Sequence, residues 1–220
     1  MLDAERVTAV RSLGGAEADK LGAMTPLSSQ IRRVTALDDA QVDALADLLI
    51  DCVDGGASVG FMQPLSRERA VAFWRLVERG VSAGERVLFV ADDSLGTCGS
   101  VQLILAQPEN QPHRADLSKL LVHRRARRQG LGAELMRAAE AAALDCGRTL
   151  LVLDTATGEA ERLYERLGWT RVGTIPNYAL LPEGSWCATT IYYRDLSADE
   201  RDRAGYPTRG VPWRGDEAPQ

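Results

Sequence analysis

The sequence predicts an α/β fold: a mixed, partly parallel twisted sheet flanked by helices. Three observations carry this. Two strand–helix–strand units overlap at 115–154 and 149–175, and such crossovers lay helices over parallel strands. Thr149–Leu153, TLLVL, is apolar without alternation, as a strand covered on both faces requires. Arg86–Ala91 and Gly99–Leu105 are apolar, β-branched runs around a Ser94-Leu95-Gly96 turn, which reads as an antiparallel meander.

The elements follow in order. Ile31–Thr35 reads as a first strand. Asp38 or Asp39 caps a helix running to Val53, with Val42, Leu45, Leu48 and Leu49 on one face. Residues 54–64 are glycine-rich yet apolar, a loop with something to pack against. Ser66 caps a second helix, to Val81, that buries Ala70, Phe73, Trp74 and Val77. After the meander, two prolines make 107–113 a loop, and Ala115–Val122 is a strand feeding an arginine-rich turn. From Gly130 to Cys146 a helix carries Leu131, Leu135, Ala138, Ala139, Ala142 and Cys146 on one stripe, and Gly147 ends it. Glu159–Leu167 is a short helix with Ala160, Leu163, Tyr164 and Leu167 inward, stopped by Gly168. Strands follow at Thr170–Ile175 and Thr189–Arg194. The organisation is therefore an N-terminal extension over 1–30, one domain over 31–196, and a charged, Pro/Gly-rich tail over 197–220.

Composition narrows the function classes. The net charge of −5 argues against a nucleic-acid partner for the chain as a whole. No apolar run reaches the ~20 residues that span a bilayer, and residues 1–20 carry acids without an apolar core, so no membrane partner or secretory signal is expected and the location reads as cytoplasmic. Cys52, Cys98, Cys146 and Cys187 are widely spaced and read as inert thiols. With only His113 and His123 beside them, no metal site is expected and a Ser-His-Asp triad is nearly excluded.

Leu120–Gly132, LLVHRRARRQGLG, holds the sharpest chemical signal. A glycine-containing turn that opens a helix offers free backbone N–H groups and the positive end of the helix dipole to a pyrophosphate. Two glycines are too few for the dinucleotide fingerprint. Lys20 and Lys119, the only lysines, do not follow a glycine pair as a P-loop requires. What remains, R-x-x-G-x-G after a strand, resembles the acyl-CoA loop of the GNAT superfamily of acetyltransferases. A second segment, Ala160-x-x-Leu163-Tyr164-x-x-x-Gly168-Trp169, resembles the later half of that pattern in its expected place. Together the resemblance covers residues 31–195 and implies a GNAT-like sheet. Within the superfamily, GASVGF and PLS at 56–66, LDT at 153–155, IPNYALLPEG at 175–184 and ATTIYYRDL at 188–196 resemble the tabtoxin-resistance type of small-molecule acetyltransferase.

The resemblance implies a division of labour. Acetyl-CoA is the cofactor. Its pyrophosphate would rest on backbone N–H groups across Arg128, Gln129, Gly130, Leu131, Gly132 and Ala133, with Arg127 beside them and phosphate contacts from the Arg124, Arg125, Arg127, Arg128 cluster. The pantetheine arm would run along Leu120, Leu121 and Val122 like an added strand. A backbone N–H near Leu121 or Val122 would meet the charge that develops on the thioester oxygen. Tyr164 holds the general-acid position; as a residue of an amphipathic helix it also suits a purely packing role. Asp116 and Asp154 are the candidates to draw the proton from the incoming amine, with Asp154 equally suited to cap the following helix. Thr157 stands where many members have asparagine. Val59, Phe61 and Met62 from one loop, with Tyr178 and Trp186 from another, would wall a small acceptor pocket, while Trp169 suits core packing.

The expected activity is acetyl-CoA-dependent N-acetylation of a small polar, amino-acid-like amine, in a monomer or a homodimer. A catalytically silent acyl-CoA-binding module is the competing reading, and a nucleic-acid-associated protein using the arginine turn is a third. Tyr164 with two nearby carboxylates favours the first.

Overall fold

The computed structural model describes residues 29–197. The readings of the N-terminal extension and the C-terminal tail fall outside these residues, apart from their innermost ends. In chain order the elements are β1 (Gln30–Val34), α1 (Asp39–Asp54), α2 (Arg67–Ser82), β2 (Arg86–Asp93), β3 (Gly96–Ile104), β4 (Arg114–Val122), a 3-10 turn (Arg124–Ala126), α3 (Leu131–Asp145), β5 (Leu150–Thr155), α4 (Gly158–Arg166), β6 (Thr170–Leu180) and β7 (Trp186–Asp195). The strands form one sheet in the order β1-β2-β3-β4-β5-β7-β6, antiparallel except at β4–β5. The α/β class and the mixed, partly parallel sheet are as the sequence predicts.

Helices cover both faces. Val34, Leu88, Val90 and Leu121 pack under α1 and α2, whose stripes supply Val42, Leu45, Leu49, Trp74 and Val77. Val87, Ala91, Val101, Leu103, Leu117 and Leu151 pack under α3, with Leu131, Leu135, Met136 and Ala139. Val87 to Ala91 alternate strictly between the two cores, so β2 is buried on both sides. Asp38 is the N-cap of α1, where its carboxylate accepts from the Gln41 N–H at 2.8 Å and Gln41 reaches back to the Asp38 N–H. Ser66 caps α2.

Two irregularities shape the region between the strands. On β4, Ser118 and Leu121 stand opposite Gln102 and Ser100, so β4 carries one residue more than β3 across that interval. The bulge centres on Lys119, at φ 52°. It turns the strand over: Leu117 faces α3, yet Leu121, four residues on, faces α1. The second is the length of parallel pairing. β4 and β5 pair only over Arg114–Asp116 with Leu150–Val152. β4 then runs on to Val122 and β5 to Thr155 without pairing, which opens a wedge between them.

β6 and β7 are longer than their sequence suggests, Thr170–Leu180 and Trp186–Asp195 against the expected 170–175 and 189–194. Pro176 and Asn177 read as strand breakers. The chain absorbs them in a bulge between Ile175 and Ala179, with Asn177 at φ 52°, and pairing resumes at Ala179 opposite Cys187. Because β6 is the edge strand, the missing Pro176 N–H costs no ladder bond with a second neighbour.

Candidate active site

The wedge between β4 and β5 opens into a cavity of about 390 Å³. Leu117, Ser118, Lys119 and Leu120 line it from β4, and Leu153, Asp154 and Thr155 from β5. Ala160 and Tyr164 close it from α4, Tyr178, Ala179, Cys187 and Thr189 from the β6–β7 hairpin, and Ala57 to Gly60 from the loop after α1. That loop is tied down: the Gln63 N–H donates to the Pro182 carbonyl at 3.0 Å and Gln63 Nε2 to the Val53 carbonyl at 2.7 Å.

Tyr164 is buried, at 5% exposure, between the rings of Trp169 and Tyr192, whose centroids lie 6.0 and 5.8 Å away. It also reaches the cavity, so packing and chemistry are compatible. Tyr192 donates its hydroxyl proton to Glu165 at 3.2 Å, whereas the Tyr164 hydroxyl has no hydrogen-bond partner among the described residues. Burial, with the nearby Asp154 carboxylate and Tyr192, pushes the Tyr164 phenol well above its ordinary pKa. The phenol therefore keeps its proton at neutral pH.

Asp154, at the open end of β5, accepts a hydrogen bond from Thr189 Oγ1 at 2.9 Å and faces the cavity. It does not cap α4. Thr157 does, its Oγ1 accepting from the Ala160 N–H at 3.4 Å. Asp116 is elsewhere. The register sets it opposite Val152, at the closed end of the wedge, and its Oδ2 accepts from Arg114 and Gln107, each at 3.0 Å. It does not line the cavity, so the expected pair of carboxylates reduces to Asp154.

The arginine turn divides into two parts. Arg124 holds Asp51 through both its backbone N–H and Nε, at 2.9 and 2.8 Å. Arg125 holds the buried Asp93 with two 3.1 Å bonds and also donates to the Gly96 and Thr97 carbonyls. These two fasten the turn to α1 and the β2–β3 hairpin and are not free for phosphate, contrary to expectation. His123 is part of the same clamp, its Nδ1 accepting from the Arg125 N–H at 3.2 Å. Arg127 Nε donates to the Val122 carbonyl at 3.1 Å. Arg128 alone swings out, at φ 61°, with a loose 3.5 Å contact to Glu159.

Gln129 donates its side-chain amide to the Arg125 carbonyl, and Gly130 follows as the N-cap of α3 at φ 89°, a backbone state that disfavours side chains. No side chain caps this helix, so the N–H groups of its first turn, Leu131 and Gly132 among them, are left for an external acceptor; Ala133 already bonds the Gly130 carbonyl. Gly132 serves a different end than an open approach to an anion. A Cβ there would stand 3.3 Å from Leu163 Cδ2, so the glycine lets α3 pack against α4. An uncapped helix N-terminus beside an unpaired strand edge fits a pyrophosphate joined to an extended arm.

Of the residues expected to wall the pocket, Val59 and Tyr178 do so. Phe61 turns away and meets the Phe73 ring edge-on at 5.3 Å. Met62 and Trp186 are exposed, at 37% and 69%, and line nothing. Trp186 opens β7, opposite Leu180 at the far end of the hairpin. Leu120 lines the cavity, while Leu121 is buried against α1 and α2 by the β4 bulge. Lys119, Ser58, Cys187 and Thr189 line it without having been singled out. Only Lys119 left a signal, the one basic residue within the strand Ala115–Val122. Burial holds the Cys52 and Cys98 thiols up at about 11, which keeps them inert.

Comparison with known proteins agrees with this geometry. The model of the acetyltransferase (GNAT) domain matches residues 84–171. An N-acetyltransferase from Staphylococcus aureus Mu50 superposes with a TM-score of 0.63 at 19% identity, over 77% of this chain and 99% of that one. A protein from Salmonella typhimurium, solved with its cofactor acetyl-CoA, gives 0.63 at 18%, over 77% and 94%. A ribosomal-protein-alanine N-acetyltransferase from Brucella melitensis gives 0.64 at 20%, over 76% and 99%. The matched segment runs from the turn after α2 through β4, the α3 turn and β5 into β6, so residues 84–171 resemble the GNAT acetyltransferase domain and the chain shares the fold of these acetyltransferases.

Proposed function

We propose that the protein transfers the acetyl group of acetyl-CoA to the amine of a small, polar, amino-acid-like molecule. One observation carries the reading: the wedge that would receive an acyl-pantetheine arm ends at a small cavity where an unpartnered phenol and a carboxylate face each other's space. When bound, acetyl-CoA supplies the activated thioester.

The chain's own residues then divide the work. The unpaired edge of β4 beyond Asp116 offers main-chain groups along Leu120–Val122 to an extended arm. The first turn of α3, with Arg128 and Gln129 beside it, holds the pyrophosphate. A backbone N–H near Leu121 or Val122 meets the developing oxyanion. Asp154, steadied by Thr189, takes the proton of the incoming ammonium, directly or through water. Tyr164 gives its proton to the departing thiolate. The segments around 56–66, 153–155, 175–184 and 188–196 support an acceptor of the tabtoxin-resistance type, and the cavity's small volume supports a compact one.

The test is a comparison of acceptors. Free amino acids, spermine and histone-tail peptides are each incubated with the protein and acetyl-CoA, and thiol release is followed. The reading expects turnover with amino acids. A clear preference for the peptides or spermine would show that the pocket has been misread.

A further inference from the structure

The cavity has two charged side chains in its lining, Lys119 and Asp154; every other lining residue is neutral. Lys119 is the only lysine among the described residues, whose other fixed cations are arginines. Its ammonium lies 5.5 Å from the centroid of the Phe73 ring, on the α1–α2 side of the sheet. Gly60 leaves space over it: even an added Cβ there would stand 4.0 Å from Nζ. Lys119 forms no ion pair among the described residues; Asp154 and Arg86 act on it only at longer range, with opposite signs. Burial lowers its pKa, so the protein pays for a cation that nothing in the fold neutralises. The bulge puts it there. Without the extra residue in β4, position 119 would fall on the opposite face.

A cavity with one unpaired cation, one carboxylate and otherwise neutral walls complements a zwitterion. We infer that Lys119 binds the carboxylate of a free amino acid while Asp154 receives its ammonium, making Lys119 the residue that selects amino acids over other amines. This rests on the amine-acetyltransferase reading above. Asp154 sits within field reach of Tyr164, so the amine is brought to the side of the cavity where the phenol stands. An ammonium-to-carboxylate bond is charge-assisted, and its loss is read as selectivity.

The experiment offers each free amino acid alongside its carboxamide and its decarboxylated amine, at saturating acetyl-CoA. The full-length protein is compared with Lys119→Met, Lys119→Gln and Lys119→Arg, and kcat/KM is taken from thiol release. The native protein should prefer the carboxylate by at least tenfold. That ratio should fall about tenfold or more in the Met and Gln variants and be largely kept in the Arg variant, with the KM for acetyl-CoA shared by all four as the check on folding. Equal losses on carboxylate and carboxamide would overturn the inference and make Lys119 a base or a packing residue, leaving the acetyltransferase reading intact. So would native preference for the decarboxylated amine. Transfer to none of these acceptors would overturn the functional reading itself.

Discussion

Tyr164 and Asp154 are two residues with opposite burdens. The phenol is buried and, in the proposed reaction, gives up a proton; the carboxylate is open to the cavity and, in the same reaction, takes one. If Tyr164 is the general acid, Tyr164→Phe lowers kcat by roughly 100-fold with little change in the KM for acetyl-CoA. A fully active Phe variant would return Tyr164 to the aromatic cluster with Trp169 and Tyr192. The raised pKa also fixes a sign. A phenol that loses its proton only well above the ordinary value of about 10 gives kcat no alkaline limb below that pH. Replacing Asp154 with Asn should hurt kcat/KM more at low pH than at high pH, because free amine is scarce at low pH and a proton acceptor matters most there; a pH-independent loss would assign it a merely binding role. Both residues were legible from the sequence, because motif spacing reports side chains held by regular elements. Asp116 was misplaced for the complementary reason. Residue type says nothing about strand register, and the register buries its role in a bond with Arg114.

At the scale of elements, the turn before α3 shows how a charge run splits into arginines held by carboxylates and one left exposed. Arg125 neutralises Asp93, whose side chain is 3% exposed. Removing it in Arg125→Ala leaves a buried carboxylate with only the Leu95 N–H and the weak Cys98 thiol as partners, at a cost of about 3 kcal/mol, measurable by denaturant unfolding. The hydrogen bonds from Arg125 hold the Asp93 carboxyl below its ordinary pKa. A depressed carboxylate stabilises the fold above its unfolded pKa, so this contribution is present from weakly acidic pH upward and is lost as pH falls through the folded value. The other half of the turn is uncapped. Gly130→Glu places a side chain and a negative charge at a position of φ 89° beside those N–H groups, and acetyl-CoA affinity should fall tenfold or more by calorimetry. Unchanged affinity in a folded variant would move the pyrophosphate elsewhere. Element type was readable from periodicity, caps and glycine stops. The extent of β6 and the turn in β4 were not, because bulges are settled by pairing between distant strands; Lys119, Cys187 and Thr189 were missed with them.

The whole molecule follows from one mismatch. β4 and β5 start as parallel neighbours and part after three residues, with α3 packed behind β4 and α4 set against Tyr192 of β7 through Tyr164. On the proposed reading, cofactor arm, proton donor and acceptor cavity meet where the sheet opens, and a single cleft serves both substrates. Fold likeness does not choose the acceptor. The similar structures include an enzyme named for a ribosomal-protein alanine, and that choice lies in the residues around the cavity. The most direct measurement is the stoichiometry of transfer: the protein is incubated with acetyl-CoA and a free amino acid, released thiol is counted, and the acceptor is weighed by mass spectrometry. One N-acetylated amino acid for each thiol released is the result predicted. Thiol release without an acetylated acceptor, or tight acetyl-CoA binding with no release at all, would contradict it.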